Sequence, residues 1–266
     1  SFEAKTGTQH YIRRNMPILT YSSLTLFGVP MRIFCHFLAA IFLWVAPASL
    51  AADEFSYAEI ETNKGLIVLE LNKTKAPISV ANFEQYANDG YYTNTIFHRV
   101  IGTFMIQGGG YDFHGKYPAG LHQKPGTRAP IKNEWQNGLK NVRGSIAMAR
   151  TNVPDSATSQ FFINVVDNAM LDQPRGGAAY AVFGKVIAGM ETVDTIKNVP
   201  TMRLGQMSDV PSEEVMILSV KIVDKATAES AEARIAQENV KRIEAEIAKL
   251  KLELEVAKKK ASGLKK

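Results

Sequence analysis

The segment YAEIETNKGLIVLELN, residues 57–72, alternates apolar and polar side chains on both sides of Asn63-Lys64-Gly65. A period of two marks half-buried strands, and the turn residues between them predict a hairpin. Short strand-like runs follow at 95–101, 104–108, 145–149, 160–166, 180–187 and 215–223. Only two stretches read as helix before residue 224. One is APISVANFEQYANDG, with Pro77 near its first turn and Gly90 just past its end; the other is GMETVDTIKNV. Strands do not alternate with helices, a pattern that points to an antiparallel barrel rather than a parallel sheet. Residues 109–144 are rich in Gly, Pro, Asn and charge and predict a long loop, a place where function concentrates.

With 266 residues, 45% of them hydrophobic, the chain is long enough for one large domain with attachments. Its net charge of +5 is unevenly placed: +3 over residues 1–52, −2 over 53–224 and +4 over 225–266. The body is therefore near neutral, and nothing in its composition suggests the basic stripe that a nucleic-acid groove wants. Cys35 is the only cysteine, which excludes a disulfide and a thiolate zinc cage.

Residues 31–52, MRIFCHFLAAIFLWVAPASLAA, have the layout of a secretory signal peptide. Arg32 forms a short basic region, residues 33–46 an apolar one, and Ser49 and Ala51 the small residues before a cleavage site. The apolar run is short for a membrane span of about 20 residues. An uncleaved anchor and a core helix are the alternatives. Cleavage would remove Cys35 and leave no stable membrane insertion. Residues 1–30 read as an upstream extension before a start at Met31, with Met16 as another candidate start.

Residues 225–266 predict an amphipathic helix. Ala233, Ala236, Val240, Ile243, Ile247, Leu250, Leu254, Ala257, Ala261 and Leu264 are spaced alternately three and four apart. That is a coiled-coil seam, with mostly Glu, Lys and Arg elsewhere. It fits a homo-oligomer formed through residues 233–264. A helix packed on its own barrel, or left in solvent, is the alternative.

Arg99 stands out inside the run IFHRVIGTFMIQGGG, residues 96–110. Alternation places Ile96, His98 and Val100 on one strand face and Phe97 with Arg99 on the other. Arginine is rarely buried without a partner. Spacing alone leaves open an arginine that snorkels outward or pairs with a carboxylate. Of the candidate metal ligands, His98 faces away from Arg99, and His114 and His122 lie in a loop without ligand spacing. Gly108–Gly110 are followed by no Gly-Lys-Ser/Thr, so they are not a phosphate loop.

FHRVIGTFMIQGGG (97–110), GSIAMARTNVPDSATSQFFINV (144–165) and YAVFGKVIAGMETVD (180–194) together resemble the cyclophilin family of peptidyl-prolyl isomerases, in family order and spacing. The resemblance spans residues 55–224 and is strongest toward periplasmic bacterial members. It implies a mainly β fold: a closed eight-stranded antiparallel barrel capped by two helices, here over residues 53–224. Carried over by motif, it implies catalytic Arg99, Phe104 and Gln107. It further implies substrate contacts at Met105, Ala149, Arg150, Gln160, Phe162, Met170, Leu171 and Tyr180. Met170 replaces the tryptophan of cyclosporin-sensitive members, Arg150 their usual asparagine, and Tyr180 a frequent histidine.

The implied reaction is cis/trans rotation of X-Pro bonds in unfolded or proline-containing polypeptides, with no cofactor or metal. Resonance gives that rotation a barrier of about 18–20 kcal/mol. Twisting makes the prolyl nitrogen pyramidal and basic, so a fixed cation beside it favours the twisted state selectively. A module that only binds proline-containing segments, with a scaffold built by the coiled coil, remains the alternative.

Overall fold

A computed structural model of the chain describes residues 54–263, together with the paired dipeptides Thr25–Leu26 and Val29–Pro30. The expected signal segment, 31–52, lies outside the described residues, as does nearly all of the upstream extension.

The first hairpin forms as the alternation requires. Strands β1 (Phe55–Thr62) and β2 (Gly65–Asn72) pair through their whole length. Ala58 and Ile60 of β1 and Ile67, Leu69 and Leu71 of β2 point into one core. The hydroxyl of Thr62 closes the turn by donating to Gly65 O at 2.6 Å. Helix α1 (Pro77–Asn88) follows; its buried side chains include Val80, Phe83 and Tyr86. Its N-terminal amides are satisfied from the distant loop: Glu134 accepts from Ile78 N at 2.9 Å and Ser79 N at 2.7 Å. A carboxylate at a helix N-terminus also meets the positive end of the helix dipole.

Strands β3 (Thr95–Ile101) and β4 (Met105–Gly108) form the next pair. The stretch expected as one long loop contains a further hairpin, β5 (Tyr111–Phe113) with β6 (Leu121–Gln123). Then come β7 (Ser145–Met148), β8 (Phe161–Asn164), a single 3-10 turn (Ala169–Asp172), β9 (Val182–Ala188) and α2 (Met190–Lys197). A second hairpin that the periodicity does not reveal, β10 (Thr201–Leu204) with β11 (Met207–Pro211), precedes β12 (Met216–Val223). Eight strands close a barrel in the order β8-β4-β3-β12-β1-β2-β9-β7, every neighbouring pair antiparallel.

The interior is aromatic and aliphatic. Phe83 from α1 lies 5.6 Å from both Phe161 and Phe183, edge-on to the first, and Phe97 meets Phe161 edge-on at 6.1 Å. Val193 and Ile196 bring α2 into the same core.

The tail is helical, with its root packed on the barrel and the remainder exposed. Asp224 caps a short helix α3 (Lys225–Glu229) by accepting from Thr227 N, and α4 (Ala231–Gly263) runs on from there. Ala228, Ala231 and Ile235 are buried against Val68 and Ala188 of the barrel wall. From Ala236 onward nearly every residue of α4 is exposed, including Val240, Ile243, Ile247, Leu250 and Leu254. Among the described residues no helix is long and apolar enough to cross a membrane.

Candidate functional site

Five neighbouring strands set five side chains in one cross-strand row. Arg99 on β3 pairs in register with Gln107 on β4, Gln107 with Phe162 on β8, Phe162 with Ala147 on β7, and Ala147 with Val182 on β9. Strands lie about 4.8 Å apart, so the row runs from a cation through an amide to an apolar floor in roughly 20 Å. The alternate residues Ile106, Phe161, Ile163, Ile146, Met148 and Phe183 face the barrel core. The row therefore lies on the outer face.

Phe162, Ala147 and Val182 join Met105 and Leu171 in a buried cluster separate from the core. Phe104, Ala149 and Tyr180 pack against it as a half-buried rim. The Phe162 and Tyr180 rings meet edge-on at 5.6 Å. The result is an apolar basin with Arg99 and Gln107 at one end.

The alternation expected for β3 fails at one point. Phe97 pairs with Gly108, but Arg99 pairs with Gln107, so His98 is an extra, bulged residue. A bulge shifts the side-chain phase. Phe97 and Val100 both enter the core, and Arg99 does not share a face with Phe97 as simple alternation predicts. Its aromatic neighbours on the outer face are Phe162 and Phe104 instead. His98 is buried and stacks on Tyr111 at 4.3 Å. Burial pushes its imidazole down to about 4, a backbone hydrogen bond at Ile96 opposes this, and the adjacent Arg99 charge adds to the depression.

Arg99 also has a carboxylate neighbour. Asp209, on β11, places Oδ2 3.7 Å from Arg99 Nε. Both side chains are more than a third exposed, and the distance exceeds that of a hydrogen bond. The pair leaves the guanidinium donors uncommitted. Asp209 adopts a left-handed conformation, φ 62°, uncommon outside glycine. Two residues on, Tyr117 donates to Pro211 O at 2.7 Å and anchors this hairpin; burial pushes the Tyr117 hydroxyl up to about 12.

Gln107 donates from Nε2 to Gln160 Oε1 at 2.9 Å. The Gln160 side chain crosses the space over Gly110, where a Cβ would collide with its Cγ. Gly109 has φ 78°, and a Cβ there would press into Phe161 and Tyr92. The three glycines thus let β4 leave the barrel without displacing this polar pair or the core aromatics.

Two expected contact residues sit differently. The Arg150 guanidinium lies 4.8 Å from the Tyr180 ring centre. It donates to the carbonyls of Thr151, Arg175, Ala178 and Ala179. Its side chain is committed to tying down the 175–179 loop, so only its backbone is free for a ligand. Met170 is half exposed and outside the buried cluster, whereas the adjacent Leu171 is within it.

A network that the motifs do not reveal supports the basin. Asn168 donates from Nδ2 to Phe104 O at 2.8 Å and Asn164 Oδ1 at 2.7 Å. Asn164 donates to Asn141 Oδ1 and Ser145 Oγ, and Asn141 donates to Asp172 Oδ1. These buried amides tie the Phe104 turn to the 3-10 turn carrying Leu171. The available signal was Asn164 itself, a lone amide in the apolar run FFINV.

A family model described as cyclophilin type peptidyl-prolyl cis-trans isomerase/CLD matches residues 57–222. The chain belongs to this family. It is 56% identical over 170 residues to the peptidyl-prolyl cis-trans isomerase of Acinetobacter baylyi, covering 64% of this chain and 87% of that one. It is 47% identical over 194 residues to peptidyl-prolyl cis-trans isomerase A of Dickeya dadantii, covering 73% and 98%. Among solved structures it resembles a Cryptosporidium parvum cyclophilin-type isomerase crystallised in the presence of the dipeptide Ala-Pro. That match has 32% identity and a TM-score of 0.53, and covers 64% of this chain and 99% of the other. The eight-stranded barrel and the activity class expected from the motifs, peptidyl-prolyl cis/trans isomerisation, are those of a cyclophilin. The binding-only alternative gives way to an enzyme.

Proposed function

We propose that Arg99 is the electrostatic catalyst of this cyclophilin, that Phe104, Met105, Phe162 and Leu171 grip the proline ring, and that Gln107 holds the substrate backbone. The cross-strand row carries this reading: it sets one cation beside an apolar basin with no competing hydrogen bond on that cation. Uncatalysed rotation takes roughly 10–100 s. In the twisted state the prolyl nitrogen regains its lone pair, and the Arg99 guanidinium donates toward it. An arginine stays charged throughout the accessible pH range, so this donor needs no proton cycle. The basin excludes water and strengthens the interaction. Backbone groups at Ala149 and Arg150, with Gln160 behind Gln107, align the peptide. Met170 and Tyr180 border the groove.

The clients in this reading are exported polypeptides. A signal-like segment at residues 31–52 and a cysteine-free body suit a cleaved, periplasmic folding assistant. The exposed seam of α4 suits self-association through residues 233–264.

The test is Arg99→Ala in a proline-peptide isomerisation assay. kcat/KM is expected to fall about 100-fold or more, the scale of losing one preorganised donor. Peptide affinity, measured by NMR titration, should change much less. Near-normal turnover would refute the assigned role.

A further inference from the structure

Helix α4 leaves the barrel with two distinct faces. The first holds the root down: Ala231 and Ile235 bury against the wall, and Arg234 pairs with Glu59 of β1. The second is the aliphatic seam Val240, Ile243, Ile247, Leu250 and Leu254, each 46–56% exposed. The faces are out of phase. Continuing the root stripe from Ile235 by four and then three residues gives Asn239 and Arg242, each one residue before a seam position. One residue is about 100° around a helix. The seam therefore lies about 100° around the helix from the face that seats the root, with Ile243 at the edge of a groove shared with Leu66 and Thr195 of the barrel.

We infer that the seam is covered by a second copy of α4, in a parallel, in-register, two-stranded coiled coil. This rests on the self-association proposed above and specifies its geometry. Written as a heptad, Val240, Ile247 and Leu254 are a positions, and Ile243 and Leu250 are d positions. In a parallel pair, β-branched Val240 and Ile247 at a with Leu250 at d favour two strands; Ile243 at d and Leu254 at a depart from that pattern.

The flanking charges choose the orientation. In a parallel pair each g residue faces the e residue five positions later on the other helix. Glu246 then meets Lys251 of the partner subunit, and Glu253 meets Lys258 of the partner subunit. Symmetry makes four attractive contacts. The pairs inward of these, Asn239 with Glu244 and Glu232 with Gln237, are neutral, and Lys260 with Lys265 beyond them is repulsive, so attraction still exceeds repulsion by two contacts. An antiparallel pair that overlaps the same aliphatic residues sets Glu246 against Glu253 and gains only Glu244 with Lys251. Its attractions and repulsions cancel. Lys258 bonds Glu255 within its own helix at 2.9 Å in the single chain, and association exchanges that exposed partner for Glu253 of the other copy.

Two apolar residues serve as internal controls. Leu252 and Val256 are also exposed, at 68% and 49%, but occupy f and c positions off the seam. Light scattering of the purified chain at about 10–100 µM, spanning the range of modest coiled-coil affinity, should give the mass of two chains. Ile247→Asp should give a monomer with isomerase activity retained, and Leu252→Asp should remain a dimer. Orientation is read with Ala257→Cys, in a background carrying Cys35→Ser wherever residue 35 is retained. Mild oxidation should link position 257 to itself, since in the antiparallel pair it would face residue 240, about 25 Å away along the helix. A monomer at every concentration refutes self-association altogether. A dimer in which the Ala257→Cys variant forms no disulfide refutes only the parallel register. A mass of three or four chains refutes the two-stranded assignment.

Discussion

His98 gives this barrel a stability that declines as pH falls below neutral. The folded chain holds its imidazole near 4, and the unfolded chain has it near 6.5. Between those values the unfolded state binds a proton that the folded state does not. Stability therefore declines as pH falls through this window, and the His98 contribution levels off below about pH 4. At about 1.4 kcal/mol per pH unit, the displacement corresponds to about 3 kcal/mol. That is a large fraction of the 5–15 kcal/mol typical of a domain. The perturbation is His98→Phe, which keeps a ring against Tyr111 and removes the titrating group.

The assay is urea unfolding of both proteins at several values from about pH 7.5 to about pH 4.5. Relative to wild type, the variant should gain about 2–3 kcal/mol on going down that range. Depressed carboxylates do not confuse the result. Asp194, held low first by its hydrogen bond to Arg143, contributes stability above its ordinary value of 3.8 that is lost at still lower pH. A difference between the two proteins that stays constant with pH would refute the account.

Three further outcomes follow. No histidine stands in the cross-strand row, so kcat/KM should be flat between about pH 5.5 and 8, measured with an uncharged proline peptide. Met170→Trp adds an indole donor beside Leu171, and cyclosporin affinity by calorimetry should rise by about 1–3 kcal/mol; tight binding by the unaltered protein would contradict this. Gly110→Ala drives a methyl into the Gln160 side chain, and should raise KM more than it lowers kcat while circular dichroism stays native.

The strands of the barrel were legible because each buries one face, and a period of two can be read from local sequence. Residues 95–101 illustrate the limit of that reading. The run has the right length, but the bulge at His98 inserts an extra residue and reverses the phase at Arg99. A slip of one residue exchanges the two faces, and nothing in IFHRV itself marks where it occurs. Val68 shows the converse. It interrupts the alternation of LIVLEL by adding an apolar side chain on the outer face, and the reason lies more than 150 residues away, in Ala228, Ala231 and Ile235. The tail seam was visible from spacing, yet Ile235, the residue that seats the helix, lies outside that seam.

The same distinction separates the motif-borne part of the site from the part that supports it. Arg99, Phe104, Met105 and Gln107 lie within nine residues, and the strand–turn–strand that holds them can be read in one stretch. Asp209 reaches Arg99 from 110 residues away, on a hairpin whose sequence, TMRLGQMSDVP, follows no clean period. The bulge and this hairpin act together on one side chain. The bulge turns Arg99 out of the barrel, and the carboxylate gives its Nε a neighbour at 3.7 Å. On the role proposed for Arg99, a neighbour matters because a cation on an open strand face samples many rotamers and catalysis depends on fixed placement. At 3.7 Å the carboxylate takes none of the guanidinium's donors. The local motif thus supplies the charge, and the non-local contacts supply its aim.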